Sequence, residues 1–279
     1  MPRFRHVPIV LVVVSLGHAG CAPAIPWPKM QTFDADGLKI AYFDEGQGEP
    51  VILIHGWLSS SGINWVLPGT SGQLAKNFRV VALDVRGHGQ SDKPTEEEAY
   101  GPELVEDVVR LMDHLKIERA HIVGYSMGGL IAANFIAKHP ERVRSGTLGG
   151  MGWMKDRGGA QWLFQQIGKK DKDAKALTVC GRSLAKLALT EDEIKSIRVP
   201  VTVLVGSNDR GIQGLYIDSL KKVRPDWPVV EIEGGTHITT IAKESFRDEL
   251  TGWLKKQSAA EKSKSAPAGK NETPAGKTR

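Results

Sequence analysis

The sequence has little cysteine and no long apolar run. Its 279 residues include only two cysteines, Cys21 and Cys180, which are too few for a disulfide framework. We interpret Cys180 as a small packing residue rather than a reactive thiol. The apolar run at residues 7–16 is too short to cross a bilayer as a stable helix, so it does not predict a membrane span.

An excess of positive charge is also missing from the body of the chain, although the formal net charge is +5. Residues 255–279 hold seven Lys or Arg and two Glu, which is a net charge of +5 on their own. Without these residues and the leader arginines Arg3 and Arg5, 28 basic and 30 acidic residues remain. Because this body lacks the electrostatic footprint of a nucleic-acid-binding protein, we expect no nucleic-acid partner.

Residues 1–24 have the pattern of an export signal, because basic residues precede a short apolar run. Two processing routes remain open. A small-x-small pattern predicts cleavage after Ala24, whereas the residues ending at Cys21 resemble a bacterial lipoprotein box that would lipidate this cysteine. His18 departs from the aliphatic residue usual in that box. Both routes predict an exported protein, either periplasmic or secreted, or anchored to a membrane as a lipoprotein.

Buried-strand patterns alternate with helical patterns in the middle of the chain, which predicts one α/β domain over residues 30–255. We expect a mostly parallel central sheet flanked by helices, with a hairpin at Asp36-Gly37 in front of it. Residues 257–279 lack apolar periodicity and are predicted to form a disordered basic tail. The strand patterns lie at 51–54, 79–85, 120–123, 147–148, 201–205 and 229–232, and helical spacing at 102–115, 127–139 and 243–254.

The sequence Gly-x-Ser-x-Gly at residues 124–128 stands between a strand pattern and a helical pattern. We predict that Ser126 is a nucleophile on a sharp strand-to-helix turn, where Gly124 and Gly128 avoid collisions that larger residues would cause. The helix that follows would point its unpaired amides at the reacting carbonyl.

A base and an orienting acid are expected at the carboxyl ends of later strands. Asp209 directly follows the strand pattern at 201–205, and His237 follows the one at 229–232. The order Ser, Asp, His along the chain fits a catalytic triad, in which His237 moves the proton and Asp209 orients the ring. Asp218 and Asp156 are the fallback candidates for the acid, although Asp218 falls inside a predicted helix.

The loop after the strand at 51–54 is expected to complete an oxyanion hole. Gly56 would let the backbone approach the substrate, and the amides of Trp57 and Met127 would hold the oxyanion. We interpret His55 as a structural residue that orders this loop, and His88 likewise as loop architecture.

Five motifs in this order resemble the α/β-hydrolase family over roughly residues 30–255. They are His55-Gly56-Trp57, the Asp84–Asp92 segment, Gly124–Gly129, Gly206–Asp209 and Gly235–His237. The resemblance implies a small-molecule ester or acyl substrate and neither a metal nor an organic cofactor. Serine at position 126 differs from the aspartate of the similar dehalogenase and epoxide-hydrolase branches. Oligomeric state is left open.

A short insertion at residues 151–198 stands where this family carries a cap. Its apolar residues could form a pocket for acyl groups or could simply pack the cap down; they are Trp153, Met154, Trp162, Leu163 and Phe164. We therefore expect a carboxylesterase-like serine hydrolase that works through an acyl-enzyme. The alternatives are a perhydrolase or cofactor-free haloperoxidase-like enzyme, a C–C bond hydrolase, and a binding protein on the same fold.

Overall fold

Buried β-branched and aliphatic runs form the centre of an eight-stranded sheet in the computed structural model, which describes residues 27–155 and 172–265. The strand order is β1-β2-β4-β3-β5-β6-β7-β8, and all pairs from β4 to β8 are parallel. The strands are β1 (Gln31–Ala35), β2 (Leu38–Gly46), β3 (Glu49–Ile54), β4 (Phe78–Leu83), β5 (Ala120–Tyr125), β6 (Val143–Gly149), β7 (Val201–Gly206) and β8 (Val229–Ile232).

Helices cover both faces of this sheet, so the central strands are buried on both sides and read as continuous apolar runs. All six residues of β5 and of β7 are buried. This arrangement confirms the predicted α/β fold with a mostly parallel sheet. The α-helices of the described residues are α1 (Thr70–Leu74), α2 (Glu103–His114), α3 (Met127–Lys138), α4 (Lys172–Ser183), α5 (Glu191–Ser196), α6 (Arg210–Ile212), α7 (Asp218–Val223) and α8 (Glu244–Ser265).

The two strands at one side of the sheet form the predicted hairpin. β1 pairs antiparallel with β2 through a turn in which Asp36 (φ 54°) and Gly37 (φ 86°) are both left-handed. Two left-handed residues match the right-handed twist of the flanking strands, which is why Asp-Gly is favoured there.

The register of the parallel strands brings their carboxyl ends to one edge. Ile54 at the end of β3 lies beside Gly124, and Gly206 at the end of β7 lies beside Ile232. The loops that carry the predicted site residues leave the sheet from these ends, so they share this edge.

The predicted disorder from Gln257 onward is wrong for residues 257–265, because α8 continues to Ser265. The end of this helix packs on the amino edge of the sheet. Glu261 forms ion pairs with Arg119 and Arg144, and Ser258 lies 3.3 Å from the Nε2 atom of buried His121. These partners are distant in sequence, so local composition did not reveal them. Residues 266–279 lie outside the described residues.

Part of the predicted cap falls within the described residues. Residues 172–198 contain α4, a short turn at Leu184–Leu187 and α5. A capping box between Thr190 and Glu193 starts α5. Residues 1–26, which include the predicted leader, and 156–171 lie outside the described residues. No helix in the described ranges has the length and apolar character needed to cross a bilayer.

Candidate active site

Ser126 sits on a strained turn between β5 and α3. Its backbone angles are φ 55° and ψ −114°, a conformation that residues with a side chain rarely adopt. A Cβ atom on Gly124 would collide with the carbonyl of Gly128, and one on Gly128 would collide with the carbonyl of Ile54. The two glycines are thus required by close backbone packing, and the turn projects the Ser126 hydroxyl above the sheet edge.

The structure brings Ser126, His237 and Asp209 together. The Oγ atom of Ser126 lies 2.9 Å from Nε2 of His237, and Nδ1 of His237 lies 2.8 Å from Oδ2 of Asp209. A carboxylate can only accept, so Nδ1 carries the proton that faces Asp209. Nε2 of the neutral ring is then free to accept the proton of the serine hydroxyl.

The two loops that carry the base and the acid are tied to each other. The Asn208 amide donates to the Gly235 carbonyl at 2.8 Å, and a Cβ atom on Gly206 would collide with that same carbonyl. Asp209 is buried, and its other carboxylate oxygen accepts from the Ile212 amide at 3.4 Å as the cap of α6. The acid is therefore fixed by backbone contacts independent of His237.

The two fallback acids are not at this position. Asp218 is exposed and is the first residue of α7, in agreement with its predicted helical location. Asp156 lies outside the described residues.

Tyr125 is a site residue that sequence reasoning missed. Its hydroxyl donates to the backbone carbonyl of His237 at 2.6 Å, and the two rings lie 5.8 Å apart. Burial raises the pKa of Tyr125, so its hydroxyl remains protonated and able to donate. The residue directly before the nucleophile thus holds the loop that carries the base.

The predicted oxyanion donors line the same cavity as the nucleophile. α3 begins at Met127, so the amide of this residue has no acceptor within the helix. Trp57 follows Gly56, at which a Cβ atom would stand 3.4 Å from that of Ser126. The Gly56 amide donates to Oδ1 of Asn64 at 2.8 Å, a contact that sequence reasoning also missed.

His55 and His88 are buried beside this loop and do not reach the nucleophile's hydroxyl. The Val85 amide donates to Nε2 of His55 at 2.9 Å, so the ring proton is on Nδ1, which lies 2.7 Å from the Gly56 carbonyl. Burial lowers the pKa of His55, and it lowers that of His88 to about 3. Both rings are therefore neutral; His55 bridges the Val85 amide and the Gly56 carbonyl, and Nδ1 of His88 lies 3.3 Å from the Arg86 carbonyl.

The Asp84–Asp92 segment is also a structural motif. One carboxylate oxygen of Asp84 accepts from the Ser61 amide and hydroxyl, at 2.8 and 2.7 Å, and the other accepts from the Gln90 amide at 2.8 Å. Asp92 accepts from the Lys39 amide at 2.8 Å. These bonds fix the loop after β4 to β2 and to the chain that follows Trp57.

A cavity of about 920 Å³ opens onto Ser126 and His237. Apart from the site residues, Ser59, Asn64 and Arg182 supply polar side chains to its wall. Most of the wall is apolar and is formed by Leu58, Ile63, Leu67, Met127, Leu130, Met151, Met154, Leu184, Leu215, Tyr216, Ile238 and Ile241.

The described part of the cap uses its apolar residues in both predicted ways. Met154 lines the cavity, whereas Trp153 packs the cap down and donates from Nε1 to the Leu189 carbonyl at 2.7 Å.

Trp57 donates from its ring to the Leu177 carbonyl of α4 at 3.0 Å, which ties the oxyanion loop to the cap. Cys180 is buried and lies 3.9 Å from the sulfur of Met127, as expected of a packing residue. Trp162, Leu163 and Phe164 lie outside the described residues.

Comparison with known proteins places the chain in a family. Residues 49–193 match the family model described as alpha/beta hydrolase fold. The chain belongs to the α/β-hydrolase family. Within the described ranges, the protein has no cluster of His, Cys, Asp or Glu that could hold a metal ion.

Two curated relatives of this α/β-hydrolase illustrate the breadth of the family. The chain is 39% identical over 122 residues to a 2-hydroxymuconate semialdehyde hydrolase of Pseudomonas sp. (strain CF600), covering 42% of this chain and 41% of that protein. It is 37% identical over 131 residues to a dihydrolipoyllysine-residue acetyltransferase component of an acetoin cleaving system of Pseudomonas putida, covering 46% of this chain and 34% of that protein. The matches thus span less than half of these relatives.

A solved structure supports the same fold over more of the chain. A carboxylesterase structure from the thaumarchaeon Nitrososphaera gargenis superimposes with a TM-score of 0.69, covering 83% of this chain and 100% of that chain. Its sequence identity is 21%, so the similarity establishes the shared fold alone.

Proposed function

We propose that this α/β-hydrolase cleaves carboxylic esters through an acyl-enzyme on Ser126. The observation that carries the proposal is the hydrogen-bonded chain Ser126–His237–Asp209 at the floor of an apolar cavity. The likeness to a carboxylesterase fold is consistent with it.

The chemistry follows from the positions of the donors and acceptors. Ser126 attacks the ester carbonyl while His237 takes the hydroxyl proton, and Asp209 stabilises the imidazolium that forms. The amides of Met127 and Trp57 are proposed to hold the tetrahedral oxyanion. His237 then protonates the leaving alcohol, and a water molecule, deprotonated by the same ring, releases the acid from Ser126.

A panel of p-nitrophenyl esters of increasing acyl length tests this function. We expect hydrolysis by the wild type and none above background by Ser126→Ala. An organophosphonate probe should label Ser126 in the intact protein. Failure of the probe to label well-folded protein would favour the non-enzymatic alternative, and hydrolysis by Ser126→Ala would mean that the nucleophile is another residue.

C–C bond hydrolysis is a second candidate, because the chain is 39% identical to a 2-hydroxymuconate semialdehyde hydrolase over its matched region. The same triad could serve both reactions, so the substrates must separate them. We expect kcat/KM to be higher for a p-nitrophenyl ester than for 2-hydroxymuconate semialdehyde. Cleavage of the semialdehyde is measured by the loss of its absorbance. The reverse order would favour the second candidate.

We also propose that the protein is exported, on the basis of the leader pattern in residues 1–24. Cell fractionation with mass determination of the mature amino terminus tests this proposal. A terminus after Ala24 would indicate ordinary cleavage, a diacylated Cys21 would indicate a lipoprotein, and an intact Met1 in the cytoplasmic fraction would contradict export.

A further inference from the structure

The exposed large apolar side chains of the described residues gather at one place. There are six, each more than half exposed, and five of them also line the cavity that reaches Ser126. Surface apolar residues are normally scattered singly, so such a cluster marks a contact surface. We call this set the apolar rim; its members are Trp27, Leu58, Ile63, Leu67, Leu215 and Ile238.

Separate parts of the chain build the apolar rim. Leu58, Ile63 and Leu67 come from the chain after β3, Leu215 from the helical segment after β7, and Ile238 from the loop after β8. Trp27 joins them because its ring packs on Gly62, where a Cβ atom would collide with it. Convergence of these segments surrounds the mouth of the cavity with apolar surface.

Leu58 has an unfavourable backbone conformation at the mouth of the cavity. Its backbone is left-handed, with φ 59°, although a branched side chain makes this conformation unfavourable. Its side chain remains 55% exposed at the mouth, so burial in the core does not compensate. An apolar surface outside the protein would supply the missing contact.

We propose that the apolar rim docks on a lipid surface and that the substrates are amphiphilic acyl esters drawn from it into the cavity. This inference rests on the proposed function, because it names the substrate class of the same site. Aromatic and aliphatic side chains of this kind insert into the boundary between headgroups and acyl chains. Most of the cavity wall between the apolar rim and Ser126 is apolar, so the acyl chain of such an ester can pass along it from the lipid to Ser126.

The position of Trp27 supports a lipid surface as the occupant. Residues 1–24, which have the pattern of an export signal, lead directly into Trp27 of the apolar rim. Cys21 precedes Trp27 by six positions, a distance of at most about 20 Å for extended chain. A lipid on Cys21 would therefore hold the mouth of the cavity close to the membrane. The end of α8, which leads toward the basic tail, packs instead at the amino edge of the sheet.

Binding is tested first, without chemistry. The Ser126→Ala/Cys21→Ser protein lacks both the nucleophile and the acylation site, and is mixed with vesicles of zwitterionic phosphatidylcholine. These vesicles carry no net charge, so the basic tail contributes little to binding. We expect cosedimentation, and at least a tenfold weaker partition coefficient after adding Trp27→Gln and Leu67→Gln. Val109→Gln on α2, a half-buried residue that does not line the cavity, is the control for an apolar-to-Gln change elsewhere and should bind as before.

Turnover is tested next, with the nucleophile restored. The ratio of the rate on a long-chain ester in vesicles to the rate on a short soluble ester should fall at least tenfold in Trp27→Gln/Leu67→Gln, but not in Val109→Gln. Soluble-ester activity without vesicle binding would overturn the lipid proposal alone. Vesicle binding without any ester hydrolysis would overturn the proposed function and the substrate class.

A photocrosslinker identifies what covers the rim. The change Leu67→p-benzoylphenylalanine is made in the Ser126→Ala/Cys21→Ser protein, which is irradiated with the same vesicles. Adducts with phosphatidylcholine would support the proposal. Crosslinks confined to residues 1–26 or 156–171 would show that the chain itself covers the rim, and crosslinks to a second copy would show a dimer interface. Either of these results would overturn the proposal.

Discussion

Two serine–histidine–carboxylate sets lie at opposite edges of the sheet. At the carboxyl edge, Ser126 contacts His237, which contacts Asp209. At the amino edge, the Ser145 hydroxyl lies 2.8 Å from Nδ1 of His121, whose Nε2 lies 3.5 Å from Glu49. The serine–histidine distances are similar, but the histidine–carboxylate distances of 2.8 and 3.5 Å and the surroundings are not.

The two sets differ in whether a substrate can reach the serine and in the backbone conformation of the serine. Ser145 and His121 are fully buried on the neighbouring strands β6 and β5, whose pairing register shifts between Ala120 and His121. Ser126 sits on a strained turn at the start of α3 and faces a large cavity. A close serine–histidine pair beside a carboxylate therefore does not make a catalytic site; amide donors and space for a substrate must be present as well.

The largest effect is expected from removing each serine. Ser126→Ala should lower kcat for p-nitrophenyl esters by at least about 10⁴-fold, because no other group forms the acyl-enzyme. Ser145→Ala should change kcat less than about threefold and only lower the melting temperature, because it loses one buried hydrogen bond. Initial rates and thermal scans of both variants provide the comparison. Equal losses of activity would contradict the assignment.

Substitutions of the two carboxylates should also differ in their effect on activity. Asp209→Asn should lower kcat by about 10³- to 10⁴-fold, because an amide no longer stabilises the imidazolium or fixes its tautomer. Glu49→Gln should retain activity within about threefold. Steady-state kinetics across pH 6 to 9 measure both effects. Strong residual activity in Asp209→Asn would indicate a different acid partner.

A smaller effect is expected from the tyrosine that holds His237. Tyr125→Phe should lower kcat by about tenfold with little change in KM, because the loop that carries the base loses its hydrogen bond. Tyr100→Phe is a matched control, since its buried hydroxyl also donates to a backbone carbonyl, that of Pro94, at 2.8 Å. Both variants should lose about 1 kcal/mol of unfolding free energy, as measured with urea. A similar loss of kcat in both would show that Tyr125 acts through stability alone.

The last effect concerns acid stability at the amino edge, and it leaves kcat unchanged. Burial lowers the pKa of His121 to about 4, below the value of about 6.5 expected in the unfolded chain. The unfolded state thus binds the proton more tightly. The contribution of neutral His121 to the free energy of unfolding is complete above pH 6.5 and is lost as the pH falls from 6.5 to 4.

Urea unfolding at pH 7 and pH 4.5 measures this contribution of His121 to the free energy of unfolding. His121→Gln should be less stable than wild type at pH 7, but its loss of unfolding free energy on acidification should be smaller by about 2 kcal/mol. Parallel losses in the two proteins would contradict a buried neutral His121.

Much of the fold could be predicted because it depends on local patterns. The apolar runs predicted the central strands, and the Gly-rich turns placed Ser126, Asp209 and His237 at strand ends. What could not be predicted depends on side-chain contacts between distant segments. Neither the 2.6 Å bond from Tyr125 to the His237 carbonyl nor the contact of Asn64 with Gly56 has a sequence signal. The ordered end of α8 was missed for the same reason, because Glu261 finds its arginines on other elements.

The backbone of Ser126 has a consequence for the design of this fold. Glycine would adopt φ 55° and ψ −114° without penalty, whereas serine at this position costs of order 1–3 kcal/mol. The folded protein would thus be more stable with glycine in place of its nucleophile. Thermal robustness and reactivity compete at this residue, and screening for heat-resistant variants alone would select against the serine.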